Sequence, residues 1–506
     1  MSTACQKGDL VNRGRPKRDE GHGLNVIVPD GGPLWGSERV IGPTKLGNAG
    51  GGKDPYFWTC FRRRKGEVID VSLETPEKIR ILQRKLYRKA KEEPNYRFYQ
   101  LYDKVYREDI LIYAYAQVKG NDGAPGADGE DFRTIEAQGL AEWLRGIIQE
   151  LRTKTYKPKP VNRVWIDKPG GGQRPLGIPC IKDRVVQTAA KVVLEPIFEA
   201  DLEPNAYGYR PKRSAKDAIQ EVHKLLKTSY TDVVDADLSK YFDTIPHCEL
   251  LKSTARRIVD RNMLHLIKMW LKAPVVERDE NGKQRITGGR NSQSGIPQGG
   301  VVSPLLANLY MNRFLKHWRK TGKNELWEAR IISYADDFVI LSRGHAQEAR
   351  EWTREVMQRL GLTLNEAKTS IKDARQEKFD FLGYSFGPHC YRKTGKWYRG
   401  ASPSKKSQQR VKKKVDELLR ANLTKPWEEI RTHLNQTLRG WAAYFFYGTR
   451  TMAYRAVDNH VYESVRHFLR RRHKVQTRGT RQFSGEKIFG KLGIVRLRDI
   501  QYDVRP

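Results

Sequence analysis

Cysteine is scarce in this 506-residue chain: Cys5, Cys60, Cys180, Cys248 and Cys390 stand far apart, and none belongs to a Cys-x2-Cys pair. That excludes a disulfide framework and a cysteine zinc site, and it fits a reducing compartment. Long apolar runs are also missing, so no membrane-spanning helix is expected. Acidic residues are few beside basic ones, 59 Asp and Glu against 94 Lys and Arg, for a formal net charge of +35. An excess of that size goes beyond what solubility needs and points to a polyanion, nucleic acid first. Lys and Arg recur with Tyr and Trp through almost every segment, so phosphate contact combined with base stacking is the expected use. Asp9, Asp19 and Glu20 interrupt the basic N-terminus, which fits neither a secretory signal nor an acid-poor transit peptide. What remains, at 38% hydrophobic residues, is a globular chain long enough for about three folding units.

Residues 1 to about 70 are Gly-rich, basic and aperiodic, and read as a flexible arm. Gly50-Gly51-Gly52-Lys53 is no phosphate loop, because no apolar strand precedes it and no Gly-Lys-Ser/Thr completes it. A helix is expected from Thr75-Pro76-Glu77, with Thr75 as N-cap and Pro76 at the first helical position. Ile79, Leu82, Leu86 and Ala90 form its apolar stripe, and Arg80, Arg84, Lys85 and Arg88 crowd the rest. A second helix is expected over Tyr96–Val118, ending at the turn-rich stretch Gly120–Gly126. Val161–Lys168 and Arg174–Pro179 flank a glycine turn and read as a hairpin with Lys168 and Arg174 on its flanks, suited to gripping a triphosphate.

A helix over Asp183–Phe198 leads to Tyr207-Gly208-Tyr209-Arg210-Pro211. Asp232–Asp237 then reads as a buried strand that puts Asp237 at its end, with Phe242 a few residues on. Gly295-Ile296-Pro297-Gln298-Gly299-Gly300 is a glycine loop feeding a helix, where backbone can approach a nucleotide closely. Next come two β-branched runs joined through Tyr334-Ala335-Asp336-Asp337, a hairpin with adjacent carboxylates at its tip. Such carboxylates repel unless a positive charge lies between them, and Mg²⁺ takes both carboxylate and phosphate oxygens as ligands. Asp237 could complete that site if the fold brings it there. Past Ser402 three apolar stripes mark basic helices: Val411, Val415, Leu418 and Leu419; Trp427, Ile430, Leu434 and Leu438; Val457, Val461, Val465, Phe468 and Leu469.

In this order the Arg-Pro-Leu-Gly-Ile-Pro block, Tyr-Gly-Tyr-Arg-Pro, Asp237-x4-Phe242, Gly-Ile-Pro-Gln-Gly-Gly, Tyr-Ala-Asp-Asp and Phe-Leu-Gly-Tyr resemble the reverse transcriptases encoded by group II introns. The likeness runs from about Thr75 to about Leu497, and Leu438–Phe445 resembles that family's thumb, called domain X or the maturase domain. It implies an α+β right-hand polymerase with fingers, an antiparallel palm sheet and an α-helical thumb. The expected divisions are a basic N-terminal extension at 1–72, fingers and palm at 73–395, thumb at 396–475 and a basic C-terminal segment at 476–506.

Carried over residue by residue, the resemblance gives Asp237, Asp336 and Asp337 two Mg²⁺ ions. Lys168 and Arg174 would grip the incoming dNTP, Phe242 would exclude a 2′-hydroxyl, Gln298 would pack under the nucleotide and Lys368 would protonate the leaving group. The implied partners are the intron RNA in a ribonucleoprotein and an RNA template with a DNA primer or target DNA, in a bacterial cytoplasm or nucleoid. Relatives with an HNH endonuclease carry paired Cys-x2-Cys ligands; none occurs here, so second-strand cutting is not expected. Two alternatives stay open: a splicing maturase that only binds RNA, and an intron-derived enzyme recruited to defence or DNA repair.

Overall fold

The computed structural model describes residues 74–167, 172–278, 284–289, 291–391, 394–420 and 424–501, with the backbone of two short paired strands, Arg62–Arg64 and Glu67–Ile69. The arm before Glu74, the Gly50–Lys53 stretch and Lys168 otherwise lie outside the described residues. Helix α1 (Glu77–Glu92) buries Ile79, Leu86 and Ala90 as its stripe requires, and adds Gln83, whose amide donates to the Val192 carbonyl at 3.1 Å. Its start differs from the expectation. Pro76 is itself the N-cap, and the Thr75 hydroxyl turns away to the Tyr113 hydroxyl at 2.9 Å. The second expected helix is interrupted: after a single turn at Tyr102–Val105, helix α2 (Glu108–Gly120) starts only past Arg107. The stretch Tyr96–Leu101 is held instead by Asp260, whose carboxylate accepts from the amides of Leu101 and Tyr102 at 2.8 Å each.

Strands β1 (Val161–Asp167) and β2 (Gln173–Ile178) form the expected hairpin, followed by α3 (Ile181–Glu199) and α4 (Ala215–Lys227). Ser214 caps α4 in a reciprocal box with Asp217. Strand β3 (Asp232–Asp237) precedes a second hairpin, β4 (Pro274–Arg278) and β5 (Gln284–Gly288). Helix α5 (Ser303–Lys320), β6 (Arg330–Tyr334), β7 (Asp337–Ser342), α6 (Ala346–Arg359) and β8 (Ser370–Asp373) complete the central unit. The order β2-β1-β4-β5 makes one sheet, in which β1 and β4 run parallel. The palm sheet has the order β8-β3-β7-β6 and is antiparallel throughout.

Period-two alternation lets the palm sheet serve two cores. Val234, Ala236, Phe338 and Ile340 face the core shared with α1, α2, α3 and α5. Val233, Val339 and Leu341 face a second core built from α4, a three-stranded sheet and three C-terminal helices. That small sheet comprises β9 (Phe379–Phe381), β10 (Tyr384–Cys390) and β11 (Trp397–Pro403). Helices α7 (Lys405–Arg420), α8 (Trp427–Tyr444) and α9 (Thr451–Arg472) follow, with the expected stripes inward. The helical thumb is thus continuous with the palm core. A division at 395/396 would cut the β10–β11 turn, since Cys390 pairs with Trp397; the helical part begins at Lys405.

Candidate active site

Strand register does most of the assembly. Asp237 ends β3 directly opposite Asp337, which starts β7, and Tyr334 pairs with Asp337 across the β6–β7 turn. Ala335 and Asp336 alone form the loop of that turn, so Asp336 adjoins the cross-strand pair. All three aspartates are half-buried. By the pleat, Asp237 and Asp337 lie on the thumb-side face of the sheet. Ala335 takes φ +58°, a conformation that costs an alanine roughly 1–2 kcal/mol.

The segment before α4 braces this strained turn. Ser333 donates its amide to the Asn205 carbonyl at 3.0 Å and accepts from the Tyr207 amide at 2.8 Å. The Asn308 side chain of α5 donates to the Gly208 carbonyl at 2.6 Å. Gly208 then lies so close that a Cβ on it would meet the Ala335 nitrogen at 2.4 Å. Only glycine fits there. Tyr209, also at positive φ, lies within electrostatic reach of Asp336, Asp337 and Arg174.

A loop from the far side cradles Asp237. Asn365 donates its amide to the Asp237 carbonyl at 2.8 Å and its side-chain amide to Oδ2 at 3.3 Å. Lys368 Nζ lies 3.3 Å from the same oxygen, and the Thr369 hydroxyl accepts from the Asp237 amide at 3.4 Å. Lys368, two-thirds exposed, therefore pairs with a carboxylate.

The nucleotide-side residues come from three loops tied together by backbone. Ile296 donates to the Phe242 carbonyl at 2.7 Å, which joins the short helix Tyr241–Thr244 to the glycine loop. Gly177 of β2 donates to the Gln298 carbonyl at 2.6 Å, which joins that loop to the hairpin bearing Arg174. Gly299, at φ +111°, packs onto Gly177, where a Cβ would meet the Gly177 oxygen at 2.3 Å. The Arg174 Nε is buried with no hydrogen-bond partner among the described residues. Seven of the eight singled-out residues thus lie on connected elements, and Lys168 falls outside the description.

Carboxylate oxygens are hard donors of the kind Mg²⁺ prefers. As their side chains stand, the aspartates do not make a ready-made group of three or more ligands among the described residues. The fit is one of donor chemistry and backbone placement.

The reverse transcriptase (RNA-dependent DNA polymerase) family matches residues 166–386, and the group II intron maturase-specific domain matches residues 408–483. Protein YkfC of Escherichia coli K12 is 34% identical over 340 residues, covering 60% of this chain and 87% of that protein. The group II intron-encoded protein LtrA of Lactococcus lactis subsp. cremoris is 29% identical over 354 residues, 57% of this chain and 56% of LtrA. The putative COX1/OXI3 intron 1 protein of Saccharomyces cerevisiae is 27% identical over 328 residues, 55% of this chain and 38% of that protein.

The chain belongs to the group II intron-encoded reverse transcriptase and maturase family. Its match therefore spans little more than half of LtrA and well under half of the yeast relative. Within this family fold, sequence reasoning singled out Lys368 but missed Asn365 and Thr369, three residues before it and one after. It quoted Tyr207–Pro211 as a motif without giving Gly208 a task. A Gly between two tyrosines was the available signal, since close backbone approach is a common reason for an interior glycine.

Proposed function

We propose that this chain is an RNA-directed DNA polymerase that extends a primer on an RNA template by divalent-metal nucleotidyl transfer, and that it binds the intron RNA that encodes it. The observation that carries this is the strand register, which puts Asp237 opposite Asp337 with Asp336 beside them on the turn. These three aspartates would hold two Mg²⁺ ions. When bound, such ions supply acidification of the primer 3′-hydroxyl and neutralise charge at the departing pyrophosphate.

The protein's own groups do the rest. Arg174, half-buried on the flank of the hairpin, would bring the outer nitrogens of its guanidinium to the triphosphate, a task for which a bidentate donor is suited. Phe242 stands next to the glycine loop, where its ring would meet a 2′-hydroxyl and so favour deoxynucleotides. Gln298, tied to β2 through its carbonyl, would form the floor under the nucleotide. Lys368 can leave Asp237 for the pyrophosphate, because its exposed side chain has the freedom to swing and donate a proton. The helices matched by the maturase-specific domain would carry the intron RNA contact.

Primer extension on an RNA template with dNTPs and Mg²⁺ tests the proposal. Wild type should extend, and Asp336→Asn should be slower by at least about a thousandfold, the several kcal/mol that metal catalysis supplies. Extension by Asp336→Asn at a rate near wild type would end the two-metal assignment.

A further inference from the structure

Large exposed hydrophobic side chains are few among the described residues, yet three of them lie close in sequence around the tip of the β10–β11 hairpin. Tyr391 is 50% exposed, Trp397 70% and Tyr398 39%. The described residues on either side of the tip are tied together: Tyr391 donates its amide to the Lys396 carbonyl at 2.9 Å, and its own carbonyl accepts from the amides of Thr394 and Gly395. Each strand has seven residues, so the tip stands about 20 Å from the Phe-Leu-Gly-Tyr end of the hairpin. The second strand of the hairpin is fixed to the helical domain at two points. Thr449 donates its amide to the Ala401 carbonyl at 2.7 Å, and its hydroxyl meets the Tyr398 hydroxyl at 2.7 Å.

We propose that this tip is a stacking contact for single-stranded RNA, with Trp397, Tyr391 and Tyr398 as base platforms and Lys396 and Arg399 as phosphate contacts. Neighbouring strand residues point to opposite faces, so Trp397 and Tyr398 present their rings on the two sides of the hairpin. A flat protein partner would need both rings on one side. A flexible strand with rotatable bases can bracket the tip, and every base has a π-face. Lys396 is exposed and Arg399 half-buried beside these rings, so the patch pairs aromatic faces with positive charge. The hairpin also abuts the segment matched by the maturase-specific domain, which favours RNA over other polyanions. The inference rests on the RNA-binding half of the proposed function and is independent of the polymerase half.

The test measures fluorescence anisotropy of the full chain, without dNTPs, on four probes. These are a 20-nucleotide unstructured RNA, the same sequence as DNA, a 20-base-pair RNA duplex and anionic phosphatidylserine vesicles. Trp397→Ala should weaken the unpaired RNA about tenfold, a loss of one stacked base, and Trp397→Phe should recover most of it. Duplex and vesicle binding should change less than about twofold. The ring is exposed, so Tm should stay near that of wild type. A 4-thiouridine in the RNA should crosslink to the 390–398 segment.

Unchanged affinity in the Tyr391→Ala, Trp397→Ala double variant would overturn the proposal. So would an equal loss on duplex, which means charge alone, or a loss confined to DNA or to vesicles. Asp336→Asn should bind as wild type does. A chain that never extends a primer while the tip variants lose RNA would sink the polymerase reading and leave this one standing.

Discussion

Replacing Gly208 by alanine should cripple catalysis while leaving the protein folded. A methyl at that position would lie 2.4 Å from the Ala335 nitrogen, 3.0 Å from the Tyr334 carbonyl carbon and 3.2 Å from the Ala335 Cα. Ordinary contact needs about 3.5 Å, so the turn must retreat by roughly 1 Å. Neither side can give way easily. Ser333 is bonded to Asn205 and Tyr207, Gly208 is bonded to Asn308, and Ala335 is already in a strained conformation. A 1 Å misplacement of reacting groups can cost about 100-fold in rate. Overpacking costs about 1–3 kcal/mol of stability, small enough for a domain of ordinary stability to stay folded.

Single-turnover primer extension should therefore show a loss near 100-fold for Gly208→Ala, with a cooperative melt retained a few degrees lower. Gly146→Ala is the control. It lies in the helix Leu140–Arg152 with nothing within 4 Å of a built Cβ, so it should leave extension unchanged and stabilise by about 0.5–1 kcal/mol. A Gly208→Ala protein that extends primers within about threefold of wild type would refute the idea that this contact sets the turn.

Two further outcomes follow from charge. If about five phosphates are contacted, affinity for single-stranded RNA should fall about 100-fold between 50 and 200 mM salt in anisotropy titrations, and a shallow slope would mean that the basic surface is mostly solvated. Burial raises the Asp183 carboxyl to about 6, against hydrogen bonds from the Tyr156 hydroxyl at 2.6 Å and the Lys159 amide at 3.0 Å. A raised carboxyl favours the folded state below pH 4, and that contribution is lost as pH climbs to 6, by about 3 kcal/mol. Asp183→Asn should flatten this component of Tm between pH 4.5 and 7, and an unchanged pH profile would contradict it.

Much of this was legible in the sequence because local pattern and tertiary environment agree. The apolar, β-branched runs in Asp232–Asp237 and Arg330–Ser342 gave the strands, and the stripes past Ser402 gave the three helices. The Asp237, Asp336 and Asp337 set followed from motif order, and the register then put those residues side by side. What stayed hidden depends on partners far along the chain. Thr75 looks like a cap, but a tyrosine 38 residues away takes its hydroxyl. The run from Tyr96 looks helical until Asp260, some 160 residues on, claims two of its amides. The Asn365 cradle and the Gly208 brace are likewise backbone contacts between segments more than a hundred residues apart, which no local periodicity announces. The stripes could not show that thumb and palm share a core, because apolar faces do not name their partners.

The central claim is that Asp237, Asp336 and Asp337 together make a divalent-ion site, and iron-directed cleavage tests it without reference to polymerase activity. Fe²⁺ replaces Mg²⁺ in the protein, ascorbate and peroxide generate hydroxyl radicals at the bound ion, and the fragments are sized. Cuts near Asp237 and near Asp336–Asp337 in the same preparation, suppressed by excess Mg²⁺ and lost in Asp337→Asn, are expected. Cuts at only one of the two places, or cuts that persist in Asp337→Asn, would contradict it.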